Sequence, residues 1–239
     1  MRIAFDVDGV LADLHSSFAN TAIRLFPELD RSIVGSPEIG ASPPDLEEFP
    51  PEMAAAPVAN VSLTNAQSAA VWRELSATTN FWESLDEIES GLVKKLATVA
   101  EERRWEVLFI TSRPRAKGRT VQRQTQQWLE AKGFPMPSTY VVHGSRGQIA
   151  KALHIDVVID DRPENCLDVE LESRAAAILV WRGARGSVPA SVRRMGVLVV
   201  PTVQACLEVL QQSDRPEDKQ GLLQRLRRLV GATTPRNIG

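Results

Sequence analysis

At 239 residues, with 43% hydrophobic and 24% charged residues, the chain has a globular composition and enough length for a sizeable core, either one large α/β domain or a core with a smaller insertion. A formal net charge of -2 offers no basic field for a nucleic-acid polymer, and no apolar stretch approaches the length of a membrane span, so the expected partner is a small molecule. Two cysteines, Cys166 and Cys206, lack metal-type spacing, and the chain opens directly on a strand with no secretory leader. A reducing cytoplasm and core or half-buried thiols are expected.

The first apolar run, from Arg2 to Val7, is too short for a helix and carries Asp6 and Asp8 to the point where Gly9 breaks it. Two carboxylates so close repel each other unless a cation lies between them, and a hard divalent ion such as Mg²⁺ suits oxygen ligands. Asp6 then reads as nucleophile and metal ligand and Asp8 as acid/base; the alternative is an ordinary Asp-Gly turn. Asp13 is placed to cap a helix whose face is Leu14, Phe18, Ala22, Leu25 and Phe26.

Residues 36–60 hold six prolines among acids and alanines and read as irregular. Helical spacing returns from Thr64 to Ala77, then from Asp86 to Arg103, with Phe81-Trp82-Glu83-Ser84-Leu85 between them. Strands and helices alternate thereafter, which predicts a parallel sheet flanked by helices. The strands are Glu106 to Thr111, Thr139 to His143, Asp156 to Asp160, Ala177 to Trp181 and Val197 to Val200. The helices are 119–132, 148–153, 164–172 and 203–212. Leu222, Leu223, Leu226, Leu229 and Val230 against Arg225, Arg227 and Arg228 mark an amphipathic C-terminal helix that docks on the core or on a second subunit, so a homodimer is compatible with the sequence.

Three further sites end predicted strands or approach them. Thr111-Ser112-Arg113 supplies hydroxyls, a backbone amide and a charge suited to a phosphoryl group; the alternative is a polar loop with Thr111 as a cap. Asp160-Asp161 is a second acidic pair. Carboxyl ends of strands in an open α/β sheet share one crevice, so Asp6, Asp8, Asp160 and Asp161 are expected to converge around one cation, with Asp161 alternatively capping the helix near Pro163. Upstream, Arg146 and Lys151 both offer a charge to neutralise the nucleophile and phosphate; Lys151, nine residues before Asp160, is the preferred one, with a solvated helical lysine as its alternative reading. Phe18, Trp72 and Trp82 are candidates for stacking on a base or for the core. His15, His143 and His154 lack ligand spacing and receive no role.

Asp6-Val7-Asp8-Gly9-Val10, Thr111, a basic residue and Asp160-Asp161 together resemble the four ordered motifs of the haloacid dehalogenase (HAD) superfamily. The resemblance implies a Rossmann-like α/β core, residues 1–13 and 86–213, with a mainly helical C1-type cap, residues 14–85, inserted after the first strand, and the C-terminal helix and tail at 214–239. It implies a Mg²⁺-dependent phosphatase of the phosphomonoesterase class, working through an aspartyl-phosphate on a small phosphorylated metabolite. The metal would be held by Asp6, the Asp8 carbonyl and one or both of Asp160 and Asp161, and the phosphoryl group by Thr111 with Lys151 or Arg146. Phe81-Trp82-Glu83-Ser84-Leu85, Gln124-Thr125-Gln126-Gln127-Trp128-Leu129 and Ile159 to Asn165 resemble the 5'(3')-deoxyribonucleotidase-like branch, which points to nucleoside monophosphates. Sugar phosphates are the alternative substrates, and a receiver-like phospho-binding module is the alternative of another class.

Overall fold

The computed structural model describes residues 1–29 and 63–212; the proline-rich segment 36–60 and the amphipathic helix at 222–230 lie outside the described residues. In chain order the elements are β1 (Arg2–Asp6), α1 (Leu14–Leu25), α2 (Asn65–Ala77), a 3-10 turn (Phe81–Glu83), α3 (Leu92–Arg103), β2 (Glu106–Thr111), α4 (Val121–Ala131) and β3 (Ser138–Val141). They continue with α5 (Arg146–Ala152), β4 (Val157–Asp160), α6 (Pro163–Glu172), β5 (Ala176–Val180), a 3-10 turn (Arg185–Ser187), α7 (Ala190–Met195), β6 (Leu198–Val200) and α8 (Val203–Gln212). The strands form one sheet in the order β3-β2-β1-β4-β5-β6. The expected α/β class and five expected strands are present, each within two residues at either end.

The chain falls into two compact units. One comprises Met1–Asp6, Lys94–Leu108 and the chain from Gly144 onward. In it β1 runs parallel to β4, with Ile3, Ala4 and Phe5 opposite Val157, Val158 and Ile159, and β5 and β6 continue the parallel ladder. These strands are near-continuous apolar runs because both faces are covered, as parallel sheets require. Neighbouring parallel strands end together, so this register delivers Asp6 and Asp160 side by side.

Beside them α5 packs against α6. Ser145 Oγ and the Gly147 amide both donate to Asp168 Oδ2, at 2.8 and 2.9 Å. A Cβ on Gly147 would collide with the Asp168 carbonyl and stand 2.6 Å from Glu172 Cβ, so only glycine permits the approach. Cys166 and Cys206 are both buried free thiols, matching expectation.

The second unit comprises Val7–Val93 and Phe109–His143. Asp13 caps α1 by accepting from the Ser16 amide at 2.9 Å, and Thr64 and Gln67 form a reciprocal capping box on α2. The two helices meet through an edge-to-face contact of Phe18 and Trp72, centroids 5.1 Å apart. Trp82 donates to the Pro114 carbonyl and Trp128 to the Leu85 carbonyl. Phe18, Trp72 and Trp82 are all buried. Of their two readings, the structure gives the core.

One helix begins later than expected. Periodicity predicts a start at Asp86, yet α3 starts at Leu92. Gly91 adopts φ +74°, a left-handed conformation, and the Glu87 carboxylate turns back to accept from the amides of Gly91 and Val93. Residues 86–91 are therefore a capping loop. The short α7 has no counterpart among the sequence expectations. Only Val192 of its six residues is buried, so it has no apolar face to read, although Pro189 and Gly196 bracket it.

Replacing Gly147 with alanine should lower unfolding stability by about 1–3 kcal/mol, because backbone has to yield. Urea titration checks this: an unchanged midpoint would mean that α5 and α6 separate freely.

Candidate active site

Asp6 ends β1 and Asp160 ends β4, and both carboxylates are buried. Arg146, 3% exposed, serves both: its Nη2 donates to Asp6 Oδ1 at 3.2 Å and its Nε lies 3.8 Å from Asp160 Oδ2. Asp160 also accepts from Asn165 Nδ2 at 3.0 Å and from the Arg162 amide at 2.9 Å. Burial nevertheless dominates and raises the Asp160 carboxyl above its ordinary value, against the pull of Arg146 and these hydrogen bonds. Asp161 is pushed up to about 8, first by burial and then by the Asp160 charge, with Arg182 and Arg162 opposing. The Cys166 thiol lies 4.0 Å from the Asp160 carbonyl oxygen, and burial followed by the two aspartates drives it well above the usual range.

The sequence favoured Lys151 over Arg146 as the neutralising cation, and the structure places Arg146 there instead. Lys151 is exposed in the last turn of α5, whereas Arg146 opens the helix and points at the acids. The structure brings Arg146 to Asp6 and Asp160. For the acidic pair, the Asp160 side chain accepts from the first turn leading into α6, and the α6 N-cap residue is Arg162.

The remaining candidates belong to the other unit. Gly9, at φ +80°, turns the chain directly after Asp8, and the amides of Leu11 and Ala12 both return to the Val7 carbonyl. Asp8 is fixed in this turn. Thr111 Oγ1 donates to Asp8 Oδ2 at 3.3 Å. Arg113 is fully buried and aimed at Asp8, with Nη2 to Oδ1 at 2.7 Å and Nε to Oδ1 and Oδ2 at 3.1 and 2.8 Å. Its Nη1 donates to Thr125 Oγ1 at 2.9 Å, and its guanidinium lies 4.8 Å from the Trp82 ring centroid. Each of its three nitrogens thus has a partner within the protein. Thr111 and Ser112 are also buried.

Asn165 and Thr125 lie in stretches that carry the resemblance, yet the sequence assigns neither a role. Asn165 follows Asp160 by five residues in the first turn of a proline-started helix, a spacing that places an amide near a strand end. No spacing announces Thr125, because its partner Arg113 sits in a loop.

Among the described residues no three His, Cys, Asp or Glu side chains gather as a metal-binding group. The expected Mg²⁺ needs fewer side chains, since it keeps several waters and takes one or two carboxylates. Asp6 and Asp160 fit that demand, being adjacent oxygen donors, and Asp160 is penalised by burial when charged.

No protein-family model matches the chain, and no curated protein matches it in sequence. Solved structures do match its fold. A hydrolase from Pseudomonas syringae aligns over 90% of this chain and 100% of its own at 15% identity and a TM-score of 0.51. A HAD-family hydrolase from Deinococcus radiodurans R1, with bound phosphate and sodium, aligns over 88% and 94%, again at 15% identity and 0.51. The chain has the Rossmann-like α/β fold of HAD-type hydrolases.

With its carboxyl raised to about 8, Asp161 keeps its proton in the folded chain between about pH 4 and 8, where the unfolded chain has lost it. Folded stability therefore falls as pH rises through that window. In EDTA, Asp161→Asn should match wild type at or below about pH 4 and melt increasingly higher as pH rises toward 8. Thermal melts across that range check this, and parallel curves would contradict it.

Proposed function

We propose that the protein is a phosphomonoester hydrolase that works through an aspartyl-phosphate on Asp6. One observation carries the proposal most directly: a buried carboxylate at the end of a central strand is held by a buried arginine and followed two residues later by a second carboxylate. HAD-type hydrolases share the fold, and the ordered motifs at Asp6, Thr111, Arg146 and Asp160 resemble theirs.

In the first step Asp6 attacks phosphorus in line, the bond to the leaving oxygen breaks, and Asp8 gives that oxygen a proton. In the second, Asp8 takes a proton from water as its oxygen attacks phosphorus, releasing phosphate and restoring Asp6. Arg146 orients the Asp6 carboxylate and offsets charge on the transferring group. Thr111 and Ser112 supply hydroxyls for phosphoryl oxygens. Mg²⁺, held by Asp6, Asp160, the Asp8 carbonyl and Asp161, would neutralise charge on the phosphoryl oxygens when bound.

We place the substrate among small phosphorylated metabolites, with nucleoside monophosphates as the class that the Phe81-to-Leu85 and Ile159-to-Asn165 stretches favour. Because Phe18, Trp72 and Trp82 are core residues, any base would be recognised by other side chains.

Turnover of p-nitrophenyl phosphate should require a divalent cation and fall by about 10³-fold or more in Asp6→Asn. Arg146→Ala should lose about 10²-fold and Lys151→Ala less than about twofold. Full EDTA-resistant turnover by Asp6→Asn would refute the mechanism. A panel in which nucleoside monophosphates fare no better than sugar phosphates would refute the nucleotide assignment alone.

A further inference from the structure

Among the described residues a second buried arginine, Arg113, pairs with Asp8 rather than with the nucleophile. Arg113 reaches Asp8 across 105 positions of sequence and holds it with its forked edge, while Thr125 and the face of Trp82 fix the guanidinium from two other directions. Gln124, the neighbour of Thr125, accepts from the Trp82 amide at 3.1 Å, so the brace is itself anchored. A buried ion pair is poor evidence of stabilisation, since an apolar pair of similar volume often serves as well. What a planar fork on a carboxylate adds is orientation.

We infer that Arg113 is a positioning residue for the acid/base Asp8, fixing its carboxylate plane so that one oxygen can hand its proton to the leaving group. This deepens the phosphatase proposal and rests on it. The donors around Asp8 divide unequally. The guanidinium is rigid and holds both oxygens, Nη2 on Oδ1 at 2.7 Å and Nε on Oδ2 at 2.8 Å. The Thr111 hydroxyl, at 3.3 Å from Oδ2, makes the longest of the contacts and rotates about its own C–O bond. When a phosphoryl oxygen takes the Thr111 hydroxyl, the Oδ2 lone pair that it occupied carries a proton taken up from solvent water, while Arg113 keeps its hold. As the P–O bond breaks, that proton passes from Oδ2 to the leaving oxygen and Asp8 returns to the carboxylate. Arg113 therefore acts through Asp8, in place of the direct phosphate contact that its loop position suggests.

General-acid assistance matters in proportion to how poor the leaving group is. The test compares kcat/KM, which reports steps up to phosphoryl transfer, for p-nitrophenyl phosphate and for an unactivated alkyl phosphate that wild type turns over. Arg113→Met keeps length and removes the fork. It should lose about 10²-fold on the alkyl ester and only a few-fold on the nitrophenyl ester, copying the selectivity of Asp8→Asn. Arg113→Lys should recover part of the alkyl activity, and Thr125→Val, which removes only the brace, should shift the ratio in the same direction by less. Thermal melts identify variants that fail to fold; if Arg113→Met is among them, Thr125→Val carries the test.

Equal losses on both esters in folded Arg113 variants, with Asp8→Asn still selective, would overturn the positioning role and leave the phosphatase reading intact. Undiminished turnover by Asp6→Asn would overturn that reading first.

Discussion

Two carboxylates brought together away from water cannot both stay charged without a cation, and in this chain that constraint follows directly from topology. Parallel pairing of β1 and β4 places Asp6 next to Asp160 at one end of the ladder. Removing a carboxylate from water costs several kcal/mol even after relaxation, so a fixed positive partner is needed. Arg146 supplies it, standing at the start of α5 and reaching both acids. Its placement depends in turn on Ser145 and Gly147, which tie α5 to Asp168, and on the absence of a side chain at Gly147. The residual penalty appears at Asp160 and Asp161, whose carboxyls remain raised despite the arginines.

A second arginine solves a different problem. The Asp8 and Asp6 side chains are almost equally exposed, at 12% and 11%, yet their partners differ. Arg113 approaches it with two nitrogens and is itself held by Thr125 and Trp82. The two aspartates, two positions apart along the chain, therefore live in different surroundings. Asp6 shares its cation with another acid, while Asp8 has a dedicated partner. Distinct environments for neighbouring carboxylates are what a nucleophile and an acid/base require.

The strands were legible because β1, β4 and β5 are apolar on both faces and end abruptly in acids or polar loops. α1 was legible from periodicity together with Asp13 at its start, and α2 from periodicity alone, its Thr64 capping box being found in the structure. The start of α3 was not, since its cap is the side chain of Glu87 folding back across Gly91, and the extended periodicity through Asp86 concealed it. At the candidate site, the acids could be named from their positions after strands. Lys151 was preferred to Arg146 on sequence; what decides between them is exposure, which depends on how α5 meets α6. The Arg113–Asp8 pair was hidden for a related reason: it joins two loops far apart in sequence, and no local pattern records such a pairing.

Phosphorylation of Asp6 is the event on which the whole account turns. Excess enzyme mixed with a phosphate monoester and Mg²⁺, quenched in acid within one turnover and digested, should yield the N-terminal peptide carrying a phosphoryl group on Asp6. The label should vanish on longer incubation and be absent in Asp6→Asn. Turnover without any labelled Asp6 peptide, or the same label in Asp6→Asn, would contradict it.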